Sequence, residues 1–212
     1  NHVFVTSALD RGAVRLVISV DAASGKVLWT DRLASRTHSK HSLNSYASGT
    51  PASDGKRVFV LFTTDEDTVV RAYDFAGKRL WQTDIGKFYN QHGHGCGTSP
   101  IVWRDTVIVA SQHDGPSVIA GLDAATGKFL WARPTVYQNI MTGLNLETGR
   151  PIIDESTAPT SVENPSFACP HLLGGKNQPS GAYSPDTNAM YMPMNNACMD
   201  IAMSVEEAGP SD

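Results

Sequence analysis

Apolar residues along this chain fall in short runs, and turn residues separate the runs at regular intervals. Arg15 to Val20, Arg57 to Phe62, Val69 to Tyr73, Thr106 to Ala110 and Val118 to Leu122 are rich in Val, Ile and Phe. Runs of this length bounded by Gly, Asp and Ser read as β-strands, and several of them alternate as half-buried strands do. No long stretch has the 3.6-residue period of an amphipathic helix.

The turns between these runs repeat. Val20-Asp21-Ala22-Ala23-Ser24-Gly25-Lys26-Val27-Leu28-Trp29 returns as Ala72-Tyr73-Asp74-Phe75-Ala76-Gly77-Lys78-Arg79-Leu80-Trp81. It returns again as Gly121-Leu122-Asp123-Ala124-Ala125-Thr126-Gly127-Lys128-Phe129-Leu130-Trp131. A degenerate fourth copy is Gly143-Leu144-Asn145-Leu146-Glu147-Thr148-Gly149-Arg150-Pro151. The three tryptophans stand 52 and 50 residues apart. In each unit Asp opens a tight turn, where its carboxylate accepts backbone N–H groups. Gly supplies the positive φ that the turn requires. The following strand is expected to start at Lys and end at Trp.

A period near 50 residues with this many strands fits a four-stranded propeller blade. The predicted fold is therefore all-β: a β-propeller of four-stranded antiparallel blades. About four blades fit in residues 1–204, part of a larger ring. Asp31 to Gly49 is polar and reads as a connection between blades, and Pro159 to Pro170 as an irregular linker. Residues 205–212 form an acidic tail that is expected to fray. The opening Asn1-His2-Val3 has neither an initiator Met nor the features of a signal peptide, as expected of a piece cut from a longer polypeptide.

Composition narrows the function classes. The net charge is -4 and no Lys/Arg cluster stands out, which argues against nucleic-acid binding through a basic face. No run of about 18 apolar residues is present, so no membrane span is expected. Three cysteines, Cys96, Cys169 and Cys198, allow at most one pair and leave one free thiol.

Candidate chemistry is sparse in the first two-thirds. His92, His94 and Cys96 alternate, so on a strand they would share one face and offer ligands to Zn²⁺ or copper. His38, His41 or His113 would be the fourth ligand. The competing reading is a glycine-rich loop whose histidines are solvated, and the spacing does not separate the two. Asp65-Glu66-Asp67 reads as a solvated hairpin tip. No nucleophile-elbow pattern is present. The plainest role for Trp29, Trp81 and Trp131 is packing.

Two resemblances add to this. The repeat is similar to the tryptophan-docking motif of quinoprotein propellers, which implies that Trp29, Trp81 and Trp131 lock blades, with Ala72 and Gly121 as small partners. Residues 132–204 resemble the pyrroloquinoline-quinone-dependent alcohol dehydrogenases. The likeness is carried by Asn139 to Pro151, by Cys169-Pro170-His171-Leu172-Leu173-Gly174-Gly175-Lys176-Asn177-Gln178-Pro179-Ser180-Gly181-Ala182-Tyr183-Ser184-Pro185 and by Met190 to Asp200. Residues 1–131, with Asn44 to Val58, Gln91-His92-Gly93 and Thr98 to Val102, resemble non-catalytic quinoprotein-like propellers. The outer-membrane assembly lipoproteins are among these.

The dehydrogenase resemblance implies that Asn177 hydrogen-bonds the quinone and that Cys169 pairs with Cys198. It implies pyrroloquinoline quinone with Ca²⁺ or a lanthanide as cofactors. An alcohol would be the substrate, cytochrome c or another protein chain the electron partner, and the periplasm the location. The sequence departs from the family where catalysis would sit. Gln112-His113-Asp114-Gly115 precedes Leu122-Asp123 without the expected Lys or Arg. Asn90 to Gly97 stands where a Trp-Asp base would be, and no Glu/Asn metal pair is recognisable. A scaffold for protein partners is the alternative function.

Overall fold

The structure, a computed structural model, describes residues 1–38, 40–64, 67–88, 90, 93, 95–111, 113, 118–134, 136–145, 147, 150–171, 175 and 181–203. The side chains of residues 134 and 183 are not described. Among the described residues there is no α-helix. Every regular element is a strand or a single 3₁₀ turn. Blade one is a meander of β1 (His2–Leu9), β2 (Val14–Asp21) and β3 (Val27–Ala34). Blade two contains β4 (Ala52–Ser53), β5 (Arg57–Thr63), β6 (Asp67–Asp74) and β7 (Arg79–Lys87). Blade three contains β8 (Ile101–Trp103), β9 (Thr106–Ser111), β10 (Val118–Asp123) and β11 (Phe129–Pro134). All pairings are antiparallel.

Three two-stranded ladders follow. β12 (Met141–Leu144) pairs with β13 (Pro151–Ile153). β14 (Ser166–Ala168) pairs with β17 (Met199–Ile201), and β15 (Ala182–Ser184) with β16 (Ala189–Tyr191). The fold is the β-propeller type expected, with three blade sheets among the described residues. Some boundaries differ from the sequence reading. The strands after the repeat turn begin after the Lys and run past the Trp, to Ala34, Lys87 and Pro134. β14 also lies inside the stretch read as a linker.

Blade two shows why its strands are continuously apolar. Successive side chains of a strand point to opposite faces. Val58, Val60, Phe62 and Tyr73 point one way and pack with Val17, Phe4, Trp29 and Leu33 of blade one. Phe59, Leu61, Val70, Ala72 and Trp81 point the other way, against Val107, Val109, Val118, Ala120 and Leu122 of blade three. A half-buried strand would alternate; this one is covered on both faces, so every residue from Val58 to Phe62 is buried.

The repeat turns at Asp21 and Asp123 share one geometry. Asp21 Oδ1 accepts the N–H groups of Ala23 and Ser24 and the Ser24 hydroxyl, at 3.2, 2.7 and 2.7 Å. Asp123 Oδ1 accepts the same set from Ala125 and Thr126, at 3.1, 2.8 and 2.7 Å. Asp74 opens a turn one residue shorter and accepts from the Lys78 N–H. The fourth copy is a true hairpin turn as well. The Asn145 N–H donates to the Arg150 carbonyl at 2.8 Å, as Asp21 does to Lys26 and Asp123 to Lys128.

After each of the first three turns comes the same β-bulge. Ser19 faces Trp29 while Val20 faces Val27, so Leu28 has no partner across the ladder. Leu80 is passed over in the same way in blade two and Leu130 in blade three. All three leucines are exposed. The extra residue sets the Trp on the face that meets the next blade and turns the Leu to solvent.

The indoles then cross between blades. Trp29 Nε1–H donates to the carbonyl of Phe75 in blade two at 2.9 Å. Trp81 Nε1–H donates to the carbonyl of Ala124 in blade three at 3.1 Å. Each acceptor is the residue after the turn Asp. Each ring lies on the glycine of that turn: a Cβ on Gly77 would come within 2.7 Å of Trp29, and one on Gly127 within 2.5 Å of Trp81. The glycines thus serve twice, by positive φ and by close approach. Gly121 has a different place, under Trp131 of its own blade, and Ala72 pairs with Trp81 of its own blade. The equivalent turn residues of the fourth copy, 146 and 149, lie outside the described residues.

A polar tie reinforces the first junction. Arg71, buried in β6, donates to Gln82 at 2.7 Å and to Asp31 Oδ2 and the Arg32 carbonyl of blade one at 3.0 and 3.1 Å. The Tyr73 hydroxyl donates to the same Asp31 oxygen at 2.7 Å. Burial, and then the Asp31 carboxylate, push the Tyr73 pKa above its ordinary value, so it remains a donor.

Two predictions follow from the turns. Gly127→Ala forces a methyl into the Trp81 ring on a left-handed backbone and is expected to cost about 3 kcal/mol or more. Gly25 has the same left-handed φ, +72°, and nothing within 4 Å of an added Cβ, so Gly25→Ala is expected to cost about 1–2 kcal/mol. Urea unfolding of the two variants measures the difference, and equal losses contradict docking on the turn glycine.

The second concerns acid. Hydrogen bonds from Ser24 and Thr126 hold the Asp21 and Asp123 carboxyls below their ordinary value of 3.8. Their stabilisation is therefore complete above 3.8 and is lost as pH falls through the lower folded values. The Asp21→Asn/Asp123→Asn variant should show a flatter loss of stability than wild type from about pH 4 downward, measured by acid titration of urea midpoints. An unchanged slope counts against this account of the turns.

Candidate functional site

The segment from Ser166 to Ile201 is built differently from the blades. Its strands are three residues long and bury little surface. β14 and β17 pair Ser166 with Ile201, Phe167 with Asp200 and Ala168 with Met199. Cys169 and Cys198 occupy the next position of that register, with Cα atoms 4.4 Å apart, and are joined by a disulfide. Cys169 is fully buried. The bridge closes a segment that contains the β15–β16 hairpin and residues 176–180.

Hydrogen bonds continue past the bridge. The His171 N–H donates to the Ala197 carbonyl at 2.8 Å, and the Asn195 N–H to the Gly175 carbonyl at 2.7 Å. His171 Nε2 lies 2.9 Å from Asn195 Nδ2. Both arms are also held from outside. The Tyr137 N–H donates to Asn196 Oδ1 at 3.2 Å, on the β17 side. Asn139 reaches the β14 side, where its side chain meets Cys169 and Phe167. The fourth repeat is anchored in turn by an ion pair between Arg150 and Asp84 of β7.

Asn177, expected to meet the quinone, lies outside the described residues, and so does the tail after Met203. His92 and His94 lie outside them too. Cys96 is described. Its sulfur takes the Thr98 N–H at 3.4 Å, its side chain packs on the core between blades two and three, and burial pushes its thiol pKa up. A thiol so placed is a poor metal ligand at neutral pH. The three histidines considered as its fourth partner are engaged elsewhere. His38 Nδ1 meets the Arg36 carbonyl, His41 Nδ1 accepts the Leu43 N–H, and the His113 ring stands on Phe88.

Among the described residues, no group of three His, Cys, Asp or Glu is placed to hold a metal ion. The described residues thus offer no carboxylate cluster for a Ca²⁺ or lanthanide ion. A groove of about 350 Å³ lies between blades one and two, lined by Leu33, Arg36, Thr64, Asp67, Gln82 and Asp84 among others. It takes no residue from the disulfide-closed segment. Sequence reasoning missed Asn139 as more than part of a motif, because its partners stand 28 and 30 residues away.

The family described as outer membrane protein assembly factor BamB matches residues 1–185. The chain belongs to that family. It is a quinoprotein-type propeller, and the match runs through the point near residue 131 where the sequence reading changed from one relative to another. Curated relatives come from the quinoprotein dehydrogenases. The lanthanide-dependent methanol dehydrogenase of Methylacidiphilum fumariolicum (strain SolV) is 39% identical over 80 residues, 37% of this chain and 13% of that protein. The dehydrogenase subunit of the quinone alcohol dehydrogenase of Gluconobacter oxydans (strain 621H) is 40% identical over 87 residues, 41% of this chain and 11% of that protein. The matched stretches thus span about an eighth or less of these relatives' length. A europium-containing methanol dehydrogenase structure aligns with a TM-score of 0.45 at 18% identity, covering 94% of this chain and 51% of that one. No helix among the described residues is long and apolar enough to cross a membrane.

The disulfide of this family member carries its own prediction. Closing a segment of this length is expected to stabilise by about 3–4 kcal/mol through the unfolded chain. Cys169→Ser/Cys198→Ser should lose that amount in urea unfolding under oxidising conditions. An unchanged midpoint would show that the short strands hold without the bridge.

Proposed function

We propose that these residues belong to a quinoprotein alcohol dehydrogenase-like propeller, with Asn177 hydrogen-bonding the quinone. The observation that carries the reading is the disulfide closure of residues 169–198. It frames the Gly174-Gly175-Lys176-Asn177 segment in a chain whose curated relatives are quinone-dependent alcohol dehydrogenases. Pyrroloquinoline quinone, when bound, takes up the two electrons and two protons that an alcohol loses on becoming an aldehyde. This chain's own part is to hold and orient: the disulfide fixes the two arms of the segment, and Tyr137 and Asn139 fix the arms to the neighbouring hairpin. A persistent disulfide also supports an exported, oxidising location such as the periplasm. The catalytic base and the cation ligands belong to parts of the site that the described residues do not supply, and the electrons would pass to a cytochrome c or another protein chain.

A second reading has its own support. The family match, by its description, is to an assembly factor, and it covers residues 1–185. On that reading the blades scaffold protein partners and the closed segment is structural.

One experiment separates the two. The full gene product is titrated with pyrroloquinoline quinone and Ca²⁺, and binding is followed by absorbance and calorimetry, with dye-linked alcohol oxidation measured alongside. Saturable binding that Asn177→Ala weakens about tenfold, the usual scale for one hydrogen bond, supports the dehydrogenase reading. No binding and no oxidation supports the scaffold.

A further inference from the structure

The residue that does most to place the disulfide-closed segment is on another hairpin. Asn139 lies just before β12, and it makes three hydrogen bonds to β14 and the cysteine after it. Its backbone N–H donates to the Cys169 carbonyl at 3.2 Å. Its side-chain Oδ1 accepts the Cys169 N–H at 2.8 Å. Its Nδ2 donates to the Phe167 carbonyl at 2.8 Å.

The chemistry of the partners fixes the sense of this clamp. A backbone carbonyl only accepts and a backbone N–H only donates, so the amide fits one way round. Aspartate keeps the acceptor and loses the donor. Alanine loses both. The clamp also bears on the buried start of the segment, since Cys169 has no exposed surface. An N–H left without a partner there costs more than the bond itself is worth.

We propose that Asn139 is the positioning residue for the 169–198 segment: it sets where the Cys169 arm lies, and through that arm how the segment is presented. The part that concerns the quinone rests on the dehydrogenase reading above. Asn139 touches no cofactor or substrate and acts only through the segment. The disulfide joins the arms to each other. Asn139 joins the Cys169 arm to the β12–β13 hairpin, whose turn is held to blade two by Arg150 and Asp84. The segment is thereby referred to the blade stack.

The test uses the full gene product and three variants: Asn139→Ala, Asn139→Asp and Asn177→Ala. Hydrogen exchange of peptides covering residues 167–171 and 195–199 is read first, without quinone and with the disulfide intact. Asn139→Ala should exchange about tenfold faster than wild type at Cys169 and His171, the scale of one lost hydrogen bond. Asn139→Asp should restore protection at Cys169, because its carboxylate still accepts that N–H. Exchange unchanged in Asn139→Ala, or not restored by Asn139→Asp, overturns the proposal whatever the quinone does.

The quinone titration is read second. If wild type binds, Asn139→Ala should weaken binding by a similar factor with its melting temperature within a few degrees of wild type, and Asn139→Asp should recover part of the affinity. Unchanged affinity overturns the link to presentation. If wild type does not bind while the exchange result holds, the dehydrogenase reading fails and the positioning role stands.

Discussion

The contact on which this structure depends is an indole of one blade laid across the turn glycine of the next. Nearly everything distinctive in the repeat exists to make that contact possible. The Asp draws its own turn tight by accepting backbone amides, two at Asp123 and one at Asp74. The tightened turn presents one free carbonyl, on Phe75 or Ala124, at the height of the neighbouring indole N–H. The glycine removes the Cβ that would stand in the ring. The bulge at Leu28, Leu80 and Leu130 aims the Trp. Change one part and the others lose their purpose, so local propensity and long-range packing point to the same structure.

The disulfide-closed segment solves the opposite problem. Its strands are too short to bury an interface, and its register is pinned by a covalent bond and by side-chain amides. Asn139, Asn195 and Asn196 all take part. A blade wall and a held segment thus have different physics within one chain. The wall is apolar, repeated and tolerant of what lies at its rim. The segment is polar, unrepeated and dependent on a few specific bonds. A functional residue is expected on the second kind of structure, carried by a rigid example of the first.

The fold was legible in the sequence because the repeat carries its own mechanism. Asp, Gly, Lys and Trp at fixed offsets predict a turn and a strand without any knowledge of the neighbours. What the repeat could not show was the partner of each Trp. Ala72 and Gly121 stand beside tryptophans of their own blades, while the docking glycines are Gly77 and Gly127, 48 and 46 residues beyond Trp29 and Trp81. The apolar run of β5 hid its two faces for a similar reason, since alternation disappears when both sides are covered. The Cys169–Cys198 bridge was implied only by resemblance, and Asn139 was invisible as a clamp. Its three bonds join positions that have no periodic relation. Chain-local reasoning reaches as far as the turn, and contacts of that kind need the structure.

Two indole N–H groups, those of Trp29 and Trp81, tie one blade to the next. Hydrogen exchange of Trp Nε1 protons, followed by NMR on ¹⁵N-labelled protein, reads them individually. Docking predicts that the Trp29 and Trp81 protons exchange only when the blades separate, with the same denaturant dependence as the core amides of β5 and β6. If either proton exchanges freely in native conditions while those amides remain protected, the blades are held by something other than the indole, and the account is wrong.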